Sequence, residues 1–162
     1  MAIDAVKTYF DALGMSGRVM EKPHSSATVE LAAQTLGVIP ARIVKTLSFM
    51  QDGACILICA AGDAKIDNAK YRHLFGKKAK MLTPNEVLAM TSHAVGGVCP
   101  FAVPNEVKTY IDISVQRFET VFPAAGSSNS MIELTPDELF RCARAVGWVD
   151  VCKEWILSTS HD

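Results

Sequence analysis

Lys45 stands inside the run Ile43-Val44-Lys45-Thr46-Leu47-Ser48-Phe49-Met50, whose residue types predict a strand. Alternate strand residues share a face, so Lys45 lies with Ile43, Leu47 and Phe49, the more apolar set. A cation there has three outlets. It snorkels to water, pairs with an anion, or lines a cavity and holds a hydroxyl, carbonyl or phosphate of a ligand. A second feature is Val95-Gly96-Gly97-Val98-Cys99-Pro100-Phe101. Paired glycines let the backbone approach a ligand and turn N–H groups toward it, and Pro100 stiffens the exit. Such a loop supplies main-chain oxyanion donors, although a Gly-Gly pair also serves as a plain turn. The third feature, Ala124-Ala125-Gly126-Ser127-Ser128-Asn129-Ser130, is either an ordinary loop or a pocket wall with hydroxyl and amide donors.

Rival chemistries have thinner support. Cys99 as a nucleophile needs an activating base, and His93 is six residues away. A buried, inert thiol is the ordinary fate of such a cysteine. Cys55 and Cys59 share a strand face, but no Cys-x-x-Cys pair exists, and His73 and His93 lack zinc-type spacing, so no metal and no cofactor is expected. Gly96-Gly97 fits neither a phosphate-binding Walker loop nor a dinucleotide fingerprint. A basic cluster of Lys65, Lys70, Arg72, His73, Lys77, Lys78 and Lys80 is either a solvated face or a phosphate-facing patch.

The elements that must position these residues follow from periodicity and punctuation. Ile3, Val6, Phe10 and Leu13 recur at helical spacing before Gly14. Residues 18–22 predict a short strand, and Thr28 caps a helix that ends at Gly37. Residues 43–50 and 54–61 predict a hairpin about Asp52-Gly53. Asp67 caps a helix ending at Gly76, and residues 80–82 read as a brief strand. Thr83-Pro84-Asn85-Glu86 and Thr135-Pro136-Asp137-Glu138 are capping boxes with proline at the first helical position. Further strands are expected near 108–113, 119–122 and 131–134, and a frayed tail over 158–162. Interspersed helices and hairpin-linked strands predict an α/β (α+β) fold, either a mixed β-sheet or a partly closed, barrel-like one, flanked by helices.

With 162 residues, 49% of them apolar and 20% charged, the chain predicts one domain over residues 1–162 with a sizeable core. No apolar run approaches the ~18 residues of a membrane helix, and the N-terminus does not read as a signal peptide. Five cysteines without a framework fit reduced thiols, so a cytoplasmic location is expected. A net charge of −1 excludes general nucleic-acid binding by a basic surface, so no DNA or membrane partner is expected, and a monomer is assumed.

Taken in order, the three features resemble the YbaK/ProX family of aminoacyl-tRNA deacylases, stand-alone relatives of the prolyl-tRNA synthetase editing domain. The likeness covers roughly residues 18–145. It rests on Thr28-Val29-Glu30-Leu31-Ala32-Ala33 with Ile43-Val44-Lys45-Thr46-Leu47, on Gly96-Gly97-Val98-Cys99-Pro100, and on Ala125-Gly126-Ser127 with Ile132-Glu133-Leu134-Thr135-Pro136. The resemblance implies a mixed, barrel-like β-sheet flanked by helices, and hydrolysis of the ester between an amino acid and the terminal adenosine of tRNA, with the acceptor end of aminoacyl-tRNA as partner. It implies that Lys45 is the essential lysine contacting substrate. Gly96, Gly97, Val98, Cys99 and Pro100, with Phe101 beside them, would hold the aminoacyl carbonyl, with Gly97 and neighbouring amides around the oxyanion. Gly126 and Ser127 would line the amino-acid pocket, and His24 resembles a histidine often found before the first conserved helix. Cys99 and Ala102 depart from the family's usual serine or threonine and glycine, which leaves the amino acid open. Small wall residues suggest alanine, serine, threonine or cysteine, and a synthetase partner is one source of tRNA selection. A non-catalytic module that holds the acceptor end or docks on a synthetase is the alternative.

Overall fold

In the computed structural model, which describes residues 2–155, the chain runs α1 (Ala2–Ala12), β1 (Val19–Glu21), α2 (Val29–Leu36), β2 (Ile43–Gln51), β3 (Ala54–Ala61), β4 (Lys65–Ile66), α3 (Asn68–Phe75), α4 (Pro84–Thr91), β5 (Lys108–Asp112), β6 (Phe122–Pro123), β7 (Ser130–Ile132), α5 (Pro136–Cys142), β8 (Gly147–Val149) and β9 (Cys152–Lys153). The expected tail over 158–162 lies outside the described residues.

The β2–β3 hairpin organises the sheet. Asp52 and Gly53 both take positive φ, 53° and 80°, as a two-residue turn matched to strand twist requires. This sets the antiparallel register from Val44↔Ala61 to Gln51↔Ala54. β3 is apolar throughout and buried from Cys55 to Ala61, as befits a central strand covered on both faces. β5 and then β8 add to it in parallel, and β6 adds in parallel to the start of β2, giving the order β6-β2-β3-β5-β8. β1 pairs with β7, and single bridges Val121↔Leu134 and Ala124↔Met131 tie β7 to the β6 segment. The result is a curled half-barrel flanked by helices.

Local chemistry fixes the helix ends. Thr28 accepts from Leu31 N at 3.1 Å, and Asp67 accepts from Ala69 N and Lys70 N at 2.9 and 3.1 Å. Both Thr-Pro-x-Glu signals form reciprocal capping boxes; each such cap is worth about 1 kcal/mol. α3 closes one face by setting Tyr71 against Phe49, with ring centroids 5.1 Å apart, and Phe75 against Tyr110 at 5.2 Å. α1 closes another part of the core with Phe10 against Phe101 at 4.7 Å. Among the described residues no helix is long and apolar enough to cross a membrane.

Three expectations need correction. Residues 80–82 make no strand; they hold β2 through one bridge, Phe49↔Met81, and flanking hydrogen bonds. Leu13 is exposed, because α1 ends at Ala12 before its side chain reaches the core. β4, β8 and β9 were not expected, since strands of two or three residues carry no alternation of their own.

Candidate active site

β2 has neighbours on its outer edge only at its two ends. Phe122 and Pro123 pair with Ile43 and Val44. At the other end Met50 N donates to Lys80 O at 2.8 Å, and Leu82 N donates to Ser48 O at 3.3 Å. Between them, Lys45, Thr46 and Leu47 have no strand beside them among the described residues. A cleft of about 360 Å³ opens at this gap. Its wall includes Lys45, Thr46 and Ser48 of β2, Val29 of α2, Met81, and Gly96 and Val98 of the glycine loop. The β2 faces are therefore not one apolar and one polar: Val44 and Ser48 are as buried as Ile43 and Phe49, and Lys45 is half-buried at the gap.

The glycine loop and the Ala124–Ser130 loop meet as backbone on backbone. A Cβ on Gly97 would stand 2.8 Å from Ser127 Cα and N. Gly96, at φ 98°, passes the loop before α2, where a Cβ would lie 3.6 Å from Ala27 Cβ. Ser26 Oγ donates to Ser128 O at 3.2 Å, and Asn129 Nδ2 donates to Lys22 O at 2.8 Å. Three segments far apart in sequence are thus locked side by side. Gly97 N–H donates to Ala94 O at 3.0 Å, whereas the Gly96 and Val98 N–H groups have no acceptor among the described residues. Ser127 does not line the cleft; its N–H and hydroxyl both donate to Ser130 Oγ, at 3.1 and 2.7 Å, and buried Ser130 reaches the wall instead.

Other expected residues lie away from the wall. His24 is exposed, two residues before Ser26, which does line the cleft. Gly126 faces α1, where a Cβ would stand 2.9 Å from Val6 Cγ2. Cys99 and Phe101 are fully buried in the core, and Pro100 borders a separate groove beside Tyr9. His93 Nε2 lies 2.7 Å from Phe101 O, a carbonyl that only accepts, so this nitrogen carries the proton. It cannot also take a proton from Cys99 Sγ, 3.5 Å away. Burial pushes the Cys99 thiol up to about 12. That environment opposes thiolate chemistry.

Among the described residues on the cleft wall, Lys45 is the one titratable group. Burial lowers its pKa from the ordinary value, and Cys152 and Asp63 partly oppose that fall. No carboxylate comes within ion-pair distance of it among the described residues. Asp63 is instead engaged by Arg117, whose Nη1 and Nη2 donate to its two oxygens at 2.9 and 2.5 Å. Among the described residues no three His, Cys, Asp or Glu side chains gather as a metal-binding group.

Of the expected Ala124–Ser130 wall, Ala124 and Ser130 do line the cleft. Sequence reading missed Thr46 and Ser48, although they alternate as polar residues in an apolar strand. It also missed Gly62, where a Cβ would fall 2.1 Å from Pro40 O and 2.7 Å from Val29 Cγ1, so that only glycine lets the start of α2 close on the sheet.

The aminoacyl-tRNA editing domain family model matches residues 24–142, which carry all these walls. The chain belongs to that family. Editing domains of this family act on aminoacyl-tRNA. Over 156 residues the chain is 54% identical to the uncharacterized protein YwhH of Bacillus subtilis, covering 96% of this chain and 99% of that one. It is 29% identical over 119 residues to EbsC of Enterococcus faecalis, a candidate Cys-tRNA(Pro)/Cys-tRNA(Cys) deacylase, covering 72% and 71% of the two chains. The crystal structure of a candidate trans-editing enzyme for prolyl tRNA synthetase superposes with a TM-score of 0.85 at 28% identity, covering 94% of this chain and 97% of that one. This likeness agrees with the expected barrel-like α/β fold.

Proposed function

We propose that this chain is a cytoplasmic trans-editing hydrolase that removes a small, wrongly attached amino acid from transfer RNA, tRNA-Pro among the candidates. The observation that carries the reading is Lys45, a half-buried cation without a carboxylate partner among the described residues, on the same cleft wall as Gly96. An aminoacyl ester is already reactive, so positioning and electrostatic stabilisation are the main demands. Water attacks the ester carbonyl carbon, and negative charge develops on the carbonyl oxygen. The Gly96 and Val98 amides, with no acceptor of their own among the described residues, are the donors for that oxygen. Gly97, already bonded to Ala94, sets the loop spacing. Collapse expels the ribose oxygen, which takes a proton, and leaves a free amino acid and deacylated tRNA. Lys45 holds the sugar hydroxyl or phosphate. The substrate's own amino group serves as the base, since no imidazole or carboxylate lines the described wall.

A volume of about 360 Å³ sits at the lower end of ligand sites, about 300–1,000 Å³. Small wall residues, Ala27, Ala32, Gly96 and Ala124, support alanine, serine, threonine or cysteine, and the name of EbsC points to cysteine. The missing wall base also favours a second reading, a module that binds the acceptor end without turnover. Deacylation of Ala-, Ser-, Thr- and Cys-tRNA, on tRNA-Pro and on other tRNAs, separates the two. Cleavage of one species that vanishes in Lys45→Ala supports the hydrolase. Cleavage of none moves the reading to the module.

A further inference from the structure

Residues 65–80 hold six lysines and arginines and one acidic residue, a net +5, while the other ten basic and sixteen acidic residues leave the rest of the chain at −6. Half of this basic set is already engaged. Lys65 pairs with Glu154, Lys70 with Asp150 and Lys77 with Asp52. Arg72, Lys78 and Lys80 are exposed and have no ion-pair partner among the described residues. Their place in the fold is specific. Arg72 rides on α3, whose Tyr71 is fixed against Phe49 of β2. The chain then returns along β2, where Lys80 O accepts from Met50 N, and the next residue, Met81, is already cleft wall. The strip therefore ends at the mouth of the cleft.

We infer that Arg72, Lys78 and Lys80 seat the sugar-phosphate backbone of the RNA whose acceptor end enters the cleft. The inference rests on the reading of the cleft as an aminoacyl-tRNA site. The rest of the chain carries a net −6, so positive charge is concentrated on this strip, and the strip sets approach and orientation as well as affinity. The glycine loop and Lys45 then need to recognise only the terminal nucleotide and its ester.

The test measures binding of uncharged transfer RNA between about 0.05 and 0.3 M salt. It compares the wild type, the triple variant Arg72→Gln/Lys78→Gln/Lys80→Gln, and a control with the same charge change elsewhere, Lys108→Gln/Arg141→Gln/Arg144→Gln. The strip variant is expected to lose affinity on the order of 100-fold at 0.1 M salt, and its salt slope is expected to fall by about 2 to 3. The control keeps both. With charged tRNA, KM rises in the strip variant while kcat stays. Hydrolysis of an aminoacyl-adenosine, too short to reach the strip, is unchanged. Three results overturn the inference: equal RNA binding by strip variant and wild type, equal loss in the control, or competition by polyglutamate as strong as by RNA of the same charge. A wild type that binds RNA but deacylates nothing fails the hydrolase reading alone, and the binding arm still judges the strip.

Discussion

Replacing Gly97 with alanine adds one carbon at the seam between the two loops of the site. Its Cβ would stand 2.8 Å from Ser127 Cα and N and 3.0 Å from the Gly126 carbonyl carbon. Carbon atoms rest at about 3.5–4.0 Å, so one backbone must retreat by roughly 0.7 Å. Neither loop yields easily. Gly97 N–H is held by Ala94 O, Ser127 is bonded twice to Ser130, and Gly126 is backed by Val6 and Ala2. Gly97 is outside the left-handed region, so the effect is steric alone. Overpacking of this kind costs about 1–3 kcal/mol. For a chain this size each kcal/mol lowers the melting temperature by about 2–4 °C. The same movement carries the adjacent Gly96 and Val98 amides away from the proposed oxyanion position, and a misplacement near 1 Å costs on the order of 100-fold. Single-turnover deacylation should therefore show kcat reduced about 10- to 100-fold, alongside a lower melting temperature. Gly147→Ala is the matched control, because no atom lies within 4 Å of its Cβ position; it should stay within about 0.5 kcal/mol of the parent. A Gly97→Ala protein with the melting curve and kcat of the parent would refute the reasoning about this seam.

Three further perturbations test separate parts of the argument. Lys45→Met keeps an apolar stem and removes a charge that burial disfavours, so activity should fall while stability at pH 7 does not. Because the folded pKa is lowered, the charge opposes folding fully below that pKa and is relieved as pH climbs toward 10.5. The stability gap between variant and parent should close over that climb, and urea melts at several pH values would detect a gap that fails to close. Cys99→Ser should keep kcat within about threefold, since a thiol at about 12 beside a donating imidazole nitrogen supplies no nucleophile; abolished turnover with an unchanged melting curve would restore the thiol. Arg18, through its hydrogen bonds, holds Glu138 at about 2, with Thr135 N–H adding to the effect. That stability is present above the ordinary carboxylate pKa and is lost as pH falls from about 5 to about 2, so Arg18→Ala should flatten the acid limb of a melting-temperature profile; an unaltered limb would count against the pair.

Much of the frame was legible because its signals are local. Thr28, Asp67, Thr83 and Thr135 cap helices through atoms two or three residues away, and Asp52-Gly53 makes a turn from its own φ angles. The cleft was less legible because it is an absence between partners. Strand periodicity located Lys45, but the gap beside it exists only because residues 80–82 and 122–123 stop short of one another along β2. Sequence adjacency also carried Cys99, Pro100 and Phe101 to the wall with Gly96. The chain turns inward after Val98, and the His93 ring clasps the Phe101 carbonyl from inside the core.

That inward turn explains how so sparse a site holds its shape. The loop that presents the Gly96 and Val98 amides has no regular secondary structure of its own. Its stiffness is borrowed from below, where His93 is fully buried and Thr91 Oγ1 accepts from His93 N at 3.1 Å while donating to Val87 O at 2.6 Å. It is borrowed again from the side, where Gly97 abuts Ser127. Fixed donors stabilise developing charge without reorganising, which is the part of the proposed reaction that this loop can supply. Burial of Lys45 follows the same logic. A lysine with its charge disfavoured and no carboxylate within ion-pair distance among the described residues is a cost to the fold, and under the proposed function an anionic or hydroxyl-rich ligand in the cleft would offset it.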